Sequence, residues 1–249
     1  MASVALKSLL ADYFHVGRSP LEWAFRARQV EIARFFLTQG AGLDYLCYRG
    51  WTPVMLLFQP NFPEVPKPFF ELLSSHSFTD FDVQDRYGAT ALHRAALWGT
   101  AGDVSSLLQL GASQSLADTD TKWTPIFAAA STNNVATLRK LAESMPPDYI
   151  NRVDLNGWTV LHVAIKAGGL ETMVFVLDMG ADPHQPIMVE AQDGGMTREI
   201  TSIDFAIAQG ETTYRHFIQA LQISGYSISI AEDAGKKDVF WDATEYGYL

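Results

Sequence analysis

The chain has 249 residues, 48% of them apolar, with 28 acidic against 18 basic side chains and a net charge of −10. That length supports a substantial core, as one large domain or two small ones. The charge, with no run of Lys or Arg longer than a doublet such as Lys236-Lys237, argues against a broad phosphate-binding face and hence against a nucleic-acid partner.

Taken in chain order, the first predicted element is a helix. Val4, Leu6, Leu9, Leu10, Tyr13 and Phe14 have helical spacing, and residues 1–18 are expected to form an N-terminal cap. Lys7, Ser8 and Asp12 interrupt the apolar positions and no basic leader precedes them, so a secretory signal is not expected. No stretch approaches the roughly 18 apolar residues of a membrane span, and no membrane partner is expected.

From residue 19 the chain repeats itself. "SPLEWAFRARQ" starts at Ser19, "GWTPVMLLF" at Gly50, "GATALHRAALWG" at Gly88, "KWTPIFAAA" at Lys122, "GWTVLHVAIKAGG" at Gly157 and "TSIDFAIAQG" at Thr201. The aligned hydroxyls are Ser19, Thr52, Thr90, Thr124, Thr159 and Thr201, separated by 33, 38, 34, 35 and 42 residues. A period near 33 signals an array of helix pairs. Four of the echoes lead into an amphipathic run, at 30–41, 103–112, 170–182 and 212–225, and a glycine often closes it. Each unit therefore reads as a turn, a short helix, a reversal and a second helix. Thr90 and Thr159 are placed to cap the first helix together with His93 and His162. Ala95, Ala96, Ala129, Ala130 and Ala164 are small enough for close helix approach. No such unit buries its apolar face alone, so neighbours must stack.

Two stretches depart from the pattern. "QPNFPEVPKPFF" carries four prolines within residues 60–68, which predicts shortened helices in the second unit joined by an extended loop. "PIMVEAQDGGMTREITS" flanks Asp193-Gly194-Gly195 with alternating residues and predicts a hairpin-like finger near 187–200. Beyond residue 225 the chain ends in an acidic, aromatic tail with Phe240, Trp241, Tyr246 and Tyr248, expected to dock as a C-terminal cap over 226–249 or to bind another protein.

Through "GATALHRAALWG…LLQLGA" and "GWTVLHVAIKAGG…VLDMGAD" the chain resembles the ankyrin-repeat family over roughly residues 19–225, and its tail is similar to those of ankyrin proteins from filamentous fungi. The resemblance implies an all-α solenoid of about six helix pairs. It also implies a concave groove lined by turns and first helices, and another protein as the partner. The turn residues that would read that partner are Trp51, Arg86, Tyr87, Lys122, Trp123, Asn156 and Trp158, with Arg49 and Asp85 beside them and Trp98 at the end of a first helix. Tryptophan before the threonine can equally brace the turn.

Chemical signals are scarce. There is no phosphate loop, no His-Glu-x-x-His helix and no serine elbow, so no catalytic residue, cofactor or metal is assigned. Asp118 and Asp120 lack the glycine and distal glutamate of a calcium loop. Cys47 is the only cysteine, which rules out an internal disulfide and Cys-pair zinc motifs; it reads as a packed thiol in a reducing cytoplasmic or nuclear compartment. Asn151 resembles an asparagine hydroxylated in some ankyrin proteins, although loop stabilisation explains it as well. The leading expectation is a non-catalytic scaffold or adaptor that binds another protein through the concave groove and the finger loops. The alternative is an enzyme or small-molecule binder with a pocket around Arg86, Tyr87, His93, Arg94 and Trp98.

Overall fold

The structure is a computed structural model, and it describes residues 19–43, 47, 50–60, 64–76, 78–189 and 198–226. The expected cap over 1–18, the expected cap over 226–249 apart from Tyr226, and Arg49 lie outside the described residues. Backbone contacts divide the chain into two compact units, residues 1–119 and 120–249.

The first unit holds α1 (Pro20–Arg26), α2 (Val30–Thr38), α3 (Pro53–Leu56), α4 (Lys67–Ser75), α5 (Ala91–Trp98) and α6 (Ala101–Gln109). Each first helix begins where the repeated hydroxyl stands. The Ser19 side chain accepts from the Glu22 N–H at 3.0 Å and the Thr52 side chain from the Met55 N–H at 3.3 Å. At Thr90 the bond is reciprocal: Thr90 N–H donates to His93 Nδ1 at 3.1 Å while His93 N–H donates to Thr90 Oγ1 at 3.4 Å. Such a box satisfies two N–H groups that a helix start leaves orphaned. Helices α1, α3 and α5 pack in succession, and α2 covers α1 and α4. The buried rings of Phe25 and Phe69 meet at 5.2 Å within this core.

The prolines shorten only one of the two helices expected to shrink. Helix α3 has four residues, but α4 has nine, because Pro66 stands at its N-cap and Pro68 lies in its first turn. A first-turn proline gives up an N–H that has no intrahelical partner anyway. The short α3 closes with two i+3 backbone bonds, Leu57 N–H to Val54 O at 3.1 Å and Phe58 N–H to Met55 O at 3.2 Å, and side chains supply further donors around its end. Arg28 donates to Leu57 O through Nε at 3.1 Å and also through Nη2, and Gln59 Nε2 donates to Leu56 O at 2.7 Å. Arg94 donates to Met55 O at 3.2 Å and to Phe58 O at 3.5 Å. The connection is fixed by Asp103, whose Oδ1 accepts from the Val65 N–H at 3.0 Å; burial raises this carboxyl above its usual range.

The second unit holds α7 (Pro125–Ser131), α8 (Val135–Ala142), a 3-10 turn (Pro147–Tyr149), α9 (Val160–Ala167), α10 (Leu170–Asp178), β1 (Ile187–Val189), β2 (Arg198–Ile200), α11 (Ser202–Ala208) and α12 (Glu211–Ile223). Helix α9 packs between α7 and α11, and α10 packs against α8 and α12. Ala129, Ala130 and Ala164 are fully buried at these crossings, where a larger side chain would hold the helices apart. The expected finger is an antiparallel pair with Ile187 opposite Ile200 and Val189 opposite Arg198. Its turn at Asp193-Gly194-Gly195 lies outside the described residues.

Within each unit the repeat period is written into bonds between neighbouring modules. Ser113 N–H donates to Asp82 Oδ1 at 2.8 Å, and Asp182 N–H donates to Asn151 Oδ1 at 2.8 Å, both 31 residues apart. Asn151 also donates to Gly180 O at 3.0 Å, so its side chain ties one loop to the next.

Candidate functional site at the turn tips

The turns before α5 and α9 share one construction. In the first unit Gly88 N–H donates to Asp85 O at 2.8 Å, and the Asp85 carboxylate accepts from the Tyr87 N–H at 2.9 Å and the Ala89 N–H at 3.0 Å. In the second unit Gly157 N–H donates to Asp154 O at 3.1 Å, and Asp154 Oδ1 accepts from Asn156 at 2.8 Å and Trp158 at 2.9 Å. The aspartate grips the turn from inside, and the two middle residues are pushed outward. The shared Asp-x-x-Gly signal in "DRYG" and "DLNG" marks these carboxylates in the sequence, though nothing in it identifies them as the organising groups. Cys47 takes the aspartate position in the earlier turn, where Gly50 N–H donates to its carbonyl at 2.7 Å. Its thiol is half-buried.

Glycine at the fourth position is required by conformation: φ is +78° at Gly88 and +76° at Gly157. Lys122 holds the equivalent position with φ of +63° and an exposed side chain. At Gly88 a side chain would also meet Thr119 N at 2.5 Å, whereas Gly157 faces open space.

The three turn tryptophans are all half-buried, each braced differently. Trp51 lies under Arg94, whose guanidinium is 3.6 Å from the ring centroid and 4.7 Å from that of Trp98. Trp123 stacks on Phe127 at 6.0 Å, and its Nε1 donates to Asp154 Oδ2 at 2.9 Å, which fastens one turn to the next. Trp158 meets the edge of Phe205 at 5.0 Å and carries the Lys166 ammonium 4.9 Å above its ring. The exposed residues are Arg86 and Tyr87, paired through a cation–π contact at 4.5 Å and a hydrogen bond to the phenol, together with Lys122 and Asn156. In the second unit, Leu155 N–H donates to Thr121 O at 2.8 Å, so Lys122, Leu155 and Asn156 sit on adjoining turns. Leu155 is 64% exposed, and the sequence does not disclose it, because nothing in the pattern separates it from a packed leucine.

Of the residues considered for a small-molecule pocket, Arg94 and Trp98 are in contact at 4.7 Å, and the others stand in separate surroundings. Arg86 and Tyr87 are exposed on the turn, His93 is bonded into the cap of α5, and Arg94 is buried and directs its donors to the end of α3. His162 is fully buried. Its Nδ1 accepts from the Thr159 N–H at 3.1 Å, so the ring proton lies on Nε2, 3.1 Å from Ser202 Oγ at the start of α11. Burial lowers this histidine to a pKa of about 4, against the upward pull of Asp154 and a Gln185 backbone bond. Among the described residues, no group of three or more His, Cys, Asp or Glu could hold a metal ion, and no helix is long and apolar enough to cross a membrane.

Residues 101–187 match the family model described as ankyrin repeats, in three copies. Alpha-latrotoxin-Lg1a from Latrodectus geometricus is 35% identical over 114 residues, a match that takes in 46% of this chain and 8% of the toxin. The chain spans well under half the length of the curated relatives it matches. Among solved structures, the ankyrin repeat domain of Bcl-3, a member of the IkappaB family, superposes with a TM-score of 0.63 at 20% identity, covering 85% of this chain and 88% of that one. A chain from the complex of a predatory endopeptidase of Bdellovibrio bacteriovorus with an immunity protein superposes with a TM-score of 0.65 at 20% identity, covering 81% and 98%. Capped helix pairs, Asp-x-x-Gly turns and these likenesses agree: the chain carries ankyrin repeats, and its fold is the all-α fold of ankyrin-repeat domains.

Proposed function

We propose that this protein is a non-catalytic scaffold or adaptor that recognises another protein through its turn tips. Ankyrin repeats in general mediate protein–protein interaction, and repeat arrays present their turns as a reading surface. The observation that carries the proposal is where large apolar side chains are left in water. Of six such side chains among the described residues, Tyr87 (43% exposed), Val153 (48%) and Leu155 (64%) lie on or beside turns held rigid from within by Asp85 and Asp154, while Phe35, Met188 and Ile223 lie on α2, β1 and α12. Rigid presentation lowers the ordering cost of binding, and aromatic and arginine side chains are the commonest interface anchors.

In this reading Arg86, Tyr87, Lys122, Leu155 and Asn156 meet the partner directly. Trp51, Trp123 and Trp158 offer half-exposed edges while bracing the turns, and Trp98 offers one at the end of α5. The single cysteine favours a cytoplasmic or nuclear setting, and the texture of the tail favours a source among filamentous fungi. The proposal is tested by recovering partners from the native cell with wild-type protein, then with Tyr87→Ala, Leu155→Ser and the pair Trp123→Ala with Trp158→Ala. Loss of the same partner in the exposed-residue variants, at unchanged melting temperature, supports the reading. Undiminished recovery in every variant rejects it.

A further inference from the structure

The described residues include four asparagines, and three have their side chains tied. Asn133 donates to Ala167 O at 2.8 Å, Asn134 accepts from the Thr137 N–H at 3.1 Å at the start of α8, and Asn151 bridges Gly180 and Asp182. Asn156 is different. Its backbone N–H is held by Asp154, but among the described residues its side-chain amide makes no hydrogen bond, and the residue is exposed. The next residue is Gly157, which presents no Cβ to an approaching side chain and has nothing within 4 Å of the place a Cβ would occupy. An untethered amide thus stands beside the least hindered backbone nitrogen a chain can offer. What restrains that nitrogen is one hydrogen bond, to Asp154 O at 3.1 Å.

We infer that Asn156-Gly157 is a site of spontaneous deamidation in the folded protein, and that its isoaspartyl product unlocks the turn. When the single bond to Asp154 O opens, the Gly157 backbone nitrogen gives up its proton and attacks Asn156 Cγ. The N–Cγ bond forms, the Cγ–Nδ2 bond breaks, and Nδ2 leaves as ammonia with a proton from solvent. Water then opens the cyclic imide at either carbonyl, and no oxidant or reductant takes part. Opening at the former Cγ carbonyl yields an ordinary aspartate in place of Asn156. Opening at the former backbone carbonyl routes the main chain through Cβ and Cγ and adds one backbone carbon before Gly157.

That extra carbon falls between the two N–H groups that Asp154 Oδ1 holds together, those of Asn156 and Trp158. The carboxylate cannot keep both in the lengthened chain. Its other oxygen holds the Trp123 indole, so loosening Asp154 releases Trp123 as well. Charge alone does not do this: Asn156→Asp adds a carboxylate at an exposed position and leaves the backbone register intact. The inference goes beyond partner recognition and stands whether or not a partner binds the turn.

The test is incubation of the folded full chain at mildly alkaline pH, with peptide mapping by mass spectrometry and enzymatic methylation of isoaspartate. The expected result is an amide-to-acid mass gain on the peptide containing Asn156, ahead of those containing Asn133, Asn134 and Asn151, with an isoaspartyl fraction. That fraction shows red-shifted tryptophan emission and a melting temperature lower by about 3 °C, while fresh Asn156→Asp matches unaged protein. Conversion only in urea would overturn the inference, by showing that the Asp154 bond protects the site. Conversion in the fold with unchanged emission would overturn the unlocking.

Discussion

Helices α3 and α9 occupy the same place in their repeats and solve the same problem by different routes. Helix α9 ends itself: Thr159 and His162 close its start, and Gly168 at φ of +75° closes its finish. Every part of that solution lies within ten residues of "TVLHVAIKAG". Helix α3 is cut to four residues, and beside the local Gln59 two of the groups that donate at its far end, Arg28 and Arg94, come from 29 and 39 residues away. A local solution distributes its cost over small, replaceable parts. A remote one concentrates it on single side chains.

The sharpest way to break this contrast is Arg94→Ala. The residue is 6% exposed; its loss strips donors from Met55 O and Phe58 O and removes the cation from beside Trp51 and Trp98. Met55 O keeps the Phe58 N–H at 3.2 Å, so Phe58 O is the acceptor that loses its side-chain donor. That loss at about 1–3 kcal/mol, with the lost cation–π contacts, should appear in urea denaturation as about 3 kcal/mol. A loss under about 1 kcal/mol would mean that water closes α3 as well as the guanidinium does.

The corresponding stress on α9 is pH. The folded chain holds His162 at a pKa of about 4 while the unfolded chain titrates near 6.5, so the unfolded state binds more protons between those values. The stabilisation is fully present above pH 6.5 and is lost as pH falls toward 4, amounting to about 3 kcal/mol. Comparing the pH dependence of wild type with that of His162→Gln isolates this contribution from the carboxylates. Parallel curves across the window would show that His162 does not carry it. At the other end of α9, Gly168→Ala should cost about 1 kcal/mol, since only the left-handed φ is strained and the nearest atom, Thr213 Oγ1, is 3.6 Å from the new Cβ.

The same contrast explains how much the sequence discloses. All six hydroxyls at the repeat starts stand at helix N-caps, where a cap bonds two or three residues away and leaves a short signature. The finger strands are legible for the same reason. The closing of α3 is not, since nothing near Pro53–Leu56 points to Arg28 or Arg94. The turn residues are legible as positions, but their environments are not: Trp51, Trp123 and Trp158 share one place in the pattern, yet lie under an arginine, against a carboxylate and against a phenylalanine edge. Those partners are set by packing between modules, which the periodicity does not encode.

Lys122 is where the two kinds of solution conflict. Its neighbours in the pattern use glycine at positive φ, while Lys122 holds φ of +63° with its side chain in water. A residue with a Cβ loses about 1–2 kcal/mol there, whereas glycine would cost about 0.4–1 kcal/mol through the freer unfolded chain. The difference favours Lys122→Gly by up to about 1 kcal/mol in urea denaturation. A fold alone gives no reason to keep the lysine. If the ammonium meets an acidic group of the partner, the same variant will gain stability and lose partner affinity, with Lys122→Asn close behind on both scales. Gain of stability with undiminished affinity would remove Lys122 from the reading surface, and loss of stability would mean that its side chain supports the turn.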